Sequence, residues 1–424
     1  MDARKRGRLR IVLAVLIAAG CSEPAAPSGA SPTPTRPSAS LAVPSASAAS
    51  TPGSPAGSAS PSVAPATVST LNVEWSADDP TGIGPVTSVT GVARAGNAYV
   101  LIVEPPYSDP ESPYGAFWST DGRAWKLAQK FPTGQRIMAL TAGGPGFVAS
   151  GSGNNGGVVW TSVDGRAWQP VSDASLGSGV ISRLVTTASG VVGFGWGGGN
   201  SDVQAIWTSP DGFEWLAATN ETGVAVAHGL QAVGSHDGRA VAIVGEDGTK
   251  GLAVWETTGR AEWTQTGTIK GATRVAELAG GPRGWVAIGE SQAWTSPDGR
   301  AWSEAVPGPD VASDLIADDS GFIAVGYVGS LPGETCGDQR PFAGHTWTSS
   351  DGRVWEQMPV TKEFSSAMVT HLIVVDRTLV GYGQRIKSDG SDALPLARWT
   401  APLPDVTRAA DAGDKGSLPE GCGG

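Results

Sequence analysis

The stretch WTSVDGRAW (Trp160–Trp168) decides the fold, because it recurs. Close copies are FWSTDGRAW (Phe117–Trp125), WTSPDGFEW (Trp207–Trp215), WTSPDGRAW (Trp294–Trp302) and WTSSDGRVW (Trp347–Trp355). A degenerate copy, WETTGRAEW (Trp255–Trp263), keeps both tryptophans and loses Asp-Gly, and a seventh start, Trp399-Thr400, has no second half. First positions fall at 117, 160, 207, 255, 294, 347 and 399. Steps near 40–50 residues suit a four-stranded unit that buries its apolar face against the next copy. Within the unit, Ser/Thr-x-Asp-Gly is turn chemistry. Short side-chain oxygens accept hydrogen bonds from nearby backbone N–H groups, and glycine takes positive φ. Of 16 tryptophans, against 8 phenylalanines, 13 sit at positions set by this unit.

Each unit comes after a similar β pattern. RIMALTA (Arg136–Ala142) meets the turn GGPG and then FVASG (Phe147–Gly151); VAELA (Val275–Ala279) meets GGPRG and then WVAIG (Trp285–Gly289). Short β-rich runs at regular spacing, with no competing helical period, argue all-β. We read strands A, B and C before each turn, with D beginning at its second tryptophan. The last copy supplies only three strands, MVTHLIVVD (Met368–Asp376), LVGYG (Leu379–Gly383) and LARWT (Leu396–Thr400). Upstream, LNVEWSADD (Leu71–Asp79) matches the D strands, Glu74-Trp75 aligning with Glu214-Trp215 and Glu262-Trp263. The expectation is a seven-bladed β-propeller over residues 69–404, its last blade closed one strand plus three by the N-terminal strand. That closure removes two exposed sheet edges.

The motif resembles the Asp-box of sialidase-type β-propellers, the bacterial neuraminidase repeat, with a spacing one residue tighter. The resemblance implies a structural role for Asp121, Asp164, Asp211, Asp298 and Asp351, at turns away from any ligand site.

The first 20 residues read as an address. Arg4, Lys5, Arg6, Arg8 and Arg10 precede the apolar run Ile11–Ala19, too short to span a bilayer. With Cys21 after Ala18-Ala19-Gly20, the segment resembles a bacterial lipoprotein signal; Ala18 stands where that pattern usually has Leu. The resemblance implies lipidation of Cys21, and a chain anchored to the membrane outside the cytoplasm. Removing residues 1–20 takes away five basic residues and Asp2, moving the net charge from −11 to −15. Residues 21–68 are almost entirely Ser, Pro, Ala, Thr and Gly, too poor in apolar side chains to offset the entropy of ordering, hence a disordered tether. Cys336 lies in a long loop and Cys422 in the tail, 405–424; an exporting address favours a disulfide between them.

An acidic chain with no basic stripe argues against nucleic acid. The B–C loops and D-to-A connections share one face, opposite the box turns, and loops on a rigid scaffold are where binding residues concentrate. Candidates there are Glu104, Tyr107, Tyr114, Asp338, Arg340, His345 and Arg385. On the inner strands, Arg183, Glu277, Asp314 and His371 align at one blade position. No His-x3-His spacing points to a metal, GWGGGN (Gly195–Asn200) precedes a strand and fails as a phosphate loop, and no Gly-x-Ser-x-Gly elbow is present. We therefore expect no cofactor and no metal. The preferred reading is a monomeric, non-catalytic binding or scaffold module for a protein or glycan. The alternatives are a sialidase-like exo-glycosidase, which would need an arginine triad and a Tyr–Glu pair, and an assembly factor for an envelope complex.

Overall fold

The computed structural model describes residues 73–106, 112–172, 174–197, 204–217, 229–245, 251–259, 262–328, 342–362, 364–386 and 394–403. The chain divides into two units, Met1–Thr67 and Val68–Gly424, and all described residues lie in the second. Cys21, Cys336 and Cys422 lie outside them, as do the signal, tether and tail.

Seven antiparallel sheets form, each a meander in the order A-B-C-D. Their first strands are Ser88–Ala95, Arg136–Gly143, Val180–Thr187, Leu230–His236, Glu277–Gly281, Ala312–Ala317 and Ala367–Val375. Each first strand packs on the first strand of the next blade, and Ala367–Val375 returns to Ser88–Ala95, so the ring is complete. An apolar core fills every junction. Between blades 2 and 3 it is Val148, Val159, Ile181, Val191, Trp207 and Trp215; between blades 7 and 1 it is Val380, Tyr382 and Leu396 against Val89, Leu101, Val103 and Trp125. This is a seven-bladed β-propeller.

The N-terminal strand closes the seventh sheet. Ser76–Ala77 pairs antiparallel with Leu394–Pro402, Ser76 opposite Thr400 and Ala77 opposite Trp399. Two paired residues make a weak strand, and side chains reinforce it. Trp75 stacks on Phe364 at 5.1 Å and donates its Nε1 to Thr346 Oγ1 at 2.8 Å. Asp78 pairs with Arg123 of blade 1 and with Arg398 of blade 7. The chain then returns to the same strand, Pro85–Val86 pairing with Pro395 and Leu394, an addition the repeat pattern gives no sign of.

The box turns show why the motif has its residues. Gly122, Gly165, Gly212, Gly299 and Gly352 all have φ between +66° and +81°. In blade 5, Ser296 Oγ accepts from Gly299 N (2.8 Å), and Asp298 Oδ1 accepts from Arg300 N (2.8 Å) and Ala301 N (3.0 Å). In blades 2, 3, 5 and 6 the second tryptophan caps the same turn, as where Trp215 Nε1 donates to Gly212 O at 3.0 Å and Trp355 Nε1 to Gly352 O at 3.0 Å. That indole belongs to the turn, so the D strands begin later than expected: at Gln169, Leu216 and Glu356, one residue on, and at Val306 in blade 5.

Candidate functional site

A second recurrent feature sets the inner position, and it is a backbone one. The A strands of blades 1, 2, 3, 4, 6 and 7 each carry a bulge at their first residues, the extra residue being Thr90, Met138, Ser182, Gln231, Ser313 and Thr370. A bulge bends the strand and re-aims the side chain next in line. Opposite stand Gly151, Gly195, Gly326 and Gly383, each the last glycine of a B-strand motif. A Cβ on any of them would fall on the backbone carbonyl of Arg136, Val180, Val311 or Met368.

The residue after the bulge is Arg183 in blade 3, Asp314 in blade 6 and His371 in blade 7, and Glu277 holds the same register in blade 5, opposite Ile288. Gly91, Ala139 and Ala232 fill the position in blades 1, 2 and 4. The polar members do different things. Asp314 staples two blades, accepting from Leu315 N (2.8 Å) and, across the junction, from Leu372 N (2.6 Å). Burial nonetheless raises its carboxyl to about 6, with those N–H groups working in the opposite direction. His371 Nδ1 lies 3.1 Å from Thr370 Oγ1, and burial lowers its imidazole to about 4, so it is neutral at pH 7. Glu277 is half-buried; burial first, and the charge of Asp314 second, raise its carboxyl to about 8. Arg183 is exposed and donates Nη1 to Gln231 O of blade 4 at 3.2 Å.

The loop-face candidates separate in the structure. Tyr114 is buried with Glu104 and Arg136 near its phenol; burial, then the charge of Glu104, push it far above its ordinary range. Glu104 Oε2 also accepts from Ser88 Oγ at 2.8 Å. Arg385 forms a bidentate pair with Asp79, at 2.9 and 2.8 Å, and lies over the Trp399 ring. It belongs to the ring closure, a use the sequence could not reveal because the partner is 306 residues away. His345, expected at a loop edge, lies within the strand Ala343–Ser349, buried, stacked on Trp347 at 5.6 Å and bonded through Nδ1 to Gln357 Nε2. Tyr107, Asp338 and Arg340 lie outside the described residues. Among the described residues, no group of three or more His, Cys, Asp or Glu is placed to hold a metal ion.

Sequence reasoning missed a cleft between blades 3 and 4. Arg183, Phe194, Trp196, Ile206, Leu230 and Val244 line about 200 Å³ of space at the end of the barrel of strands that carries the B–C loops. Trp196 is one of three tryptophans with no place in the repeated unit, and that was the available signal.

No family model and no curated protein matches the chain. Solved structures do. The structure titled YCF48 bound to D1 peptide is 14% identical, covers 81% of this chain and 100% of its own, and superposes with a TM-score of 0.50. Puromycin hydrolase is 11% identical over 75% of this chain and 54% of its own (TM-score 0.44), and a prolyl endopeptidase 11% over 75% and 51% (TM-score 0.45). The chain thus spans about half the length of each hydrolase. At these identities the likeness is one of fold alone.

Proposed function

We propose that this protein is a membrane-tethered, extracytoplasmic β-propeller that binds a protein or glycan ligand through its B–C loop face without catalysing a reaction. The observation that carries the reading is the division of labour between the two faces. Box turns occupy one face, with their polar groups spent on backbone N–H groups. The other presents Arg183, Glu277 and Trp196 on a rigid, closed ring. The neighbour YCF48 has a peptide in its structure, which suits a protein ligand. On this reading the tight Asp-box repeat is a folding device, Cys21 carries the lipid, residues 21–68 are the spacer, and Cys336–Cys422 pins the tail.

One observation favours the glycosidase alternative, the proximity of Tyr114 to Glu104 and Arg136. A single arginine stands there among the described residues, and a phenol pushed upward is a poor nucleophile. Screening the full-length chain against peptide and glycan arrays and against chromogenic glycosides tests the proposal. Saturable binding without turnover is the expected outcome; turnover abolished by Tyr114→Phe would overturn it.

A further inference from the structure

The cleft between blades 3 and 4 has a chemistry that narrows the ligand. Its walls mix polar and apolar surface: Phe194, Ile206, Leu230 and Val244 with half-buried Trp196 at one side, and Ser182 and Arg183 as the polar members. Its cation is Arg183. Nη1 donates to Gln231 O, and no acid of the described residues forms a salt bridge with the guanidinium, so Nε and Nη2 keep donors to offer. Glu277 interacts with Arg183 through charge alone. A guanidinium fork presented to one side matches a carboxylate, which accepts two parallel N–H bonds. Among the described residues no lysine or second arginine lines the cleft, as a phosphate dianion would favour.

The size of the space matters as much as its charge. About 200 Å³ is smaller than a drug-sized site and holds one large side chain. A ligand must therefore bring a carboxylate and an apolar group from nearly the same atom. The last residue of a polypeptide does this, because its carboxylate and side chain share one Cα. An internal Asp or Glu carries no apolar side chain on that carbon.

We propose that this cleft receives the C-terminal residue of a peptide, Arg183 taking the terminal carboxylate and Trp196, Leu230 and Val244 packing on an apolar final side chain. The inference rests on the reading of the protein as a binding module and specifies where and what it binds. The ring position supplies the cation and the B-strand end supplies the indole, so one junction of the propeller differs from its six neighbours.

The test is calorimetric titration of the full-length chain with acetylated tetrapeptides that end in Leu, Phe, Lys or Asp, each as free acid and as amide. Expected are saturable binding for the Leu or Phe acids and at least tenfold weaker binding for their amides. Arg183→Gln should weaken the acids at least tenfold, Arg183→Lys less, and Trp196→Ala several-fold, with thermal melts showing the ring intact. Amides binding as tightly as acids, or Arg183→Gln binding like the parent, would overturn the cleft assignment and leave the binding module standing. Failure of every peptide, with array hits that ignore Arg183, would also overturn it. An absence of any peptide or glycan hit would remove both.

Discussion

Replacing Trp75 is the sharpest probe of ring closure, since the closing strand is two residues long, Ser76–Ala77, with one further backbone bond from Asp78 N to Arg398 O. Trp75 is 5% exposed and shares a core with Val325, Phe364, Val369 and Trp399. Trp75→Ala removes the ring, its stack on Phe364 and its bond to Thr346, a loss of about 3–5 kcal/mol for a buried tryptophan. Trp75→Phe keeps a ring on Phe364 but leaves the buried Thr346 hydroxyl without its donor, which costs about 1–2 kcal/mol. Adding Thr346→Val should recover part of that, because the orphaned hydroxyl goes with it. Urea unfolding of the full-length chain, followed by far-ultraviolet circular dichroism, reads all three, and limited proteolysis reads release of the segment around residues 73–84. A loss below about 1 kcal/mol for Trp75→Ala, with proteolysis unchanged, would refute the idea that this indole holds the ring shut.

Four further outcomes are expected. Glu277 ionises near 8 in the fold and near 4.5 otherwise, so the fold binds the extra proton and wild-type stability falls as pH rises through that window. The ceiling is about 5 kcal/mol, and with water reaching the half-buried group about 1–2 kcal/mol is expected; Glu277→Gln should gain this above pH 8 and nothing below pH 4, by urea titration across pH. Gly326→Ala drives a Cβ onto Val311 O and should cost about 1–3 kcal/mol, whereas Gly84→Ala, with open space around it, should be near neutral in the same melt. Asp164 and Asp298 are held below the ordinary carboxyl range, chiefly by backbone N–H groups of Arg166 and Ala301; their contribution is present above pH 4 and fades as pH falls through the lowered values, so Asp298→Asn should flatten the acid limb of a stability–pH curve. Cys21→Ser should shift the protein from the membrane to the soluble fraction on cell fractionation; equal partitioning of both forms would contradict the anchor.

The repeated unit made most of the architecture legible. Trp-x7-Trp spacing gave the blade count, and Glu74-Trp75 identified the strand that completes the seventh sheet, where Ser76 pairs with Thr400. Alignment of the A strands placed Arg183, Glu277, Asp314 and His371 in one register, and the pairings give that same register. What each does there was not legible. Asp314 is consumed by Leu372 N across the junction of blades 6 and 7, and Arg385 by Asp79 within the closure of blade 7, contacts between residues 58 and 306 positions apart. The glycines opposite the bulges read in sequence only as strand ends, since a one-residue excess on one strand becomes visible only when its partner is paired to it.

Local chemistry and periodicity therefore belong to the sequence itself: turn residues, strand alternation, the number of copies and the piece that completes the last one. These depend on interactions within about ten residues or on repetition, and both are written linearly. The tertiary structure alone decided which polar groups remain available for a ligand. Availability depends on what the neighbouring blade spends, and Arg183, which lines the same cleft as Trp196, keeps donors because it donates to Gln231 O and no acid of the described residues forms a salt bridge with it.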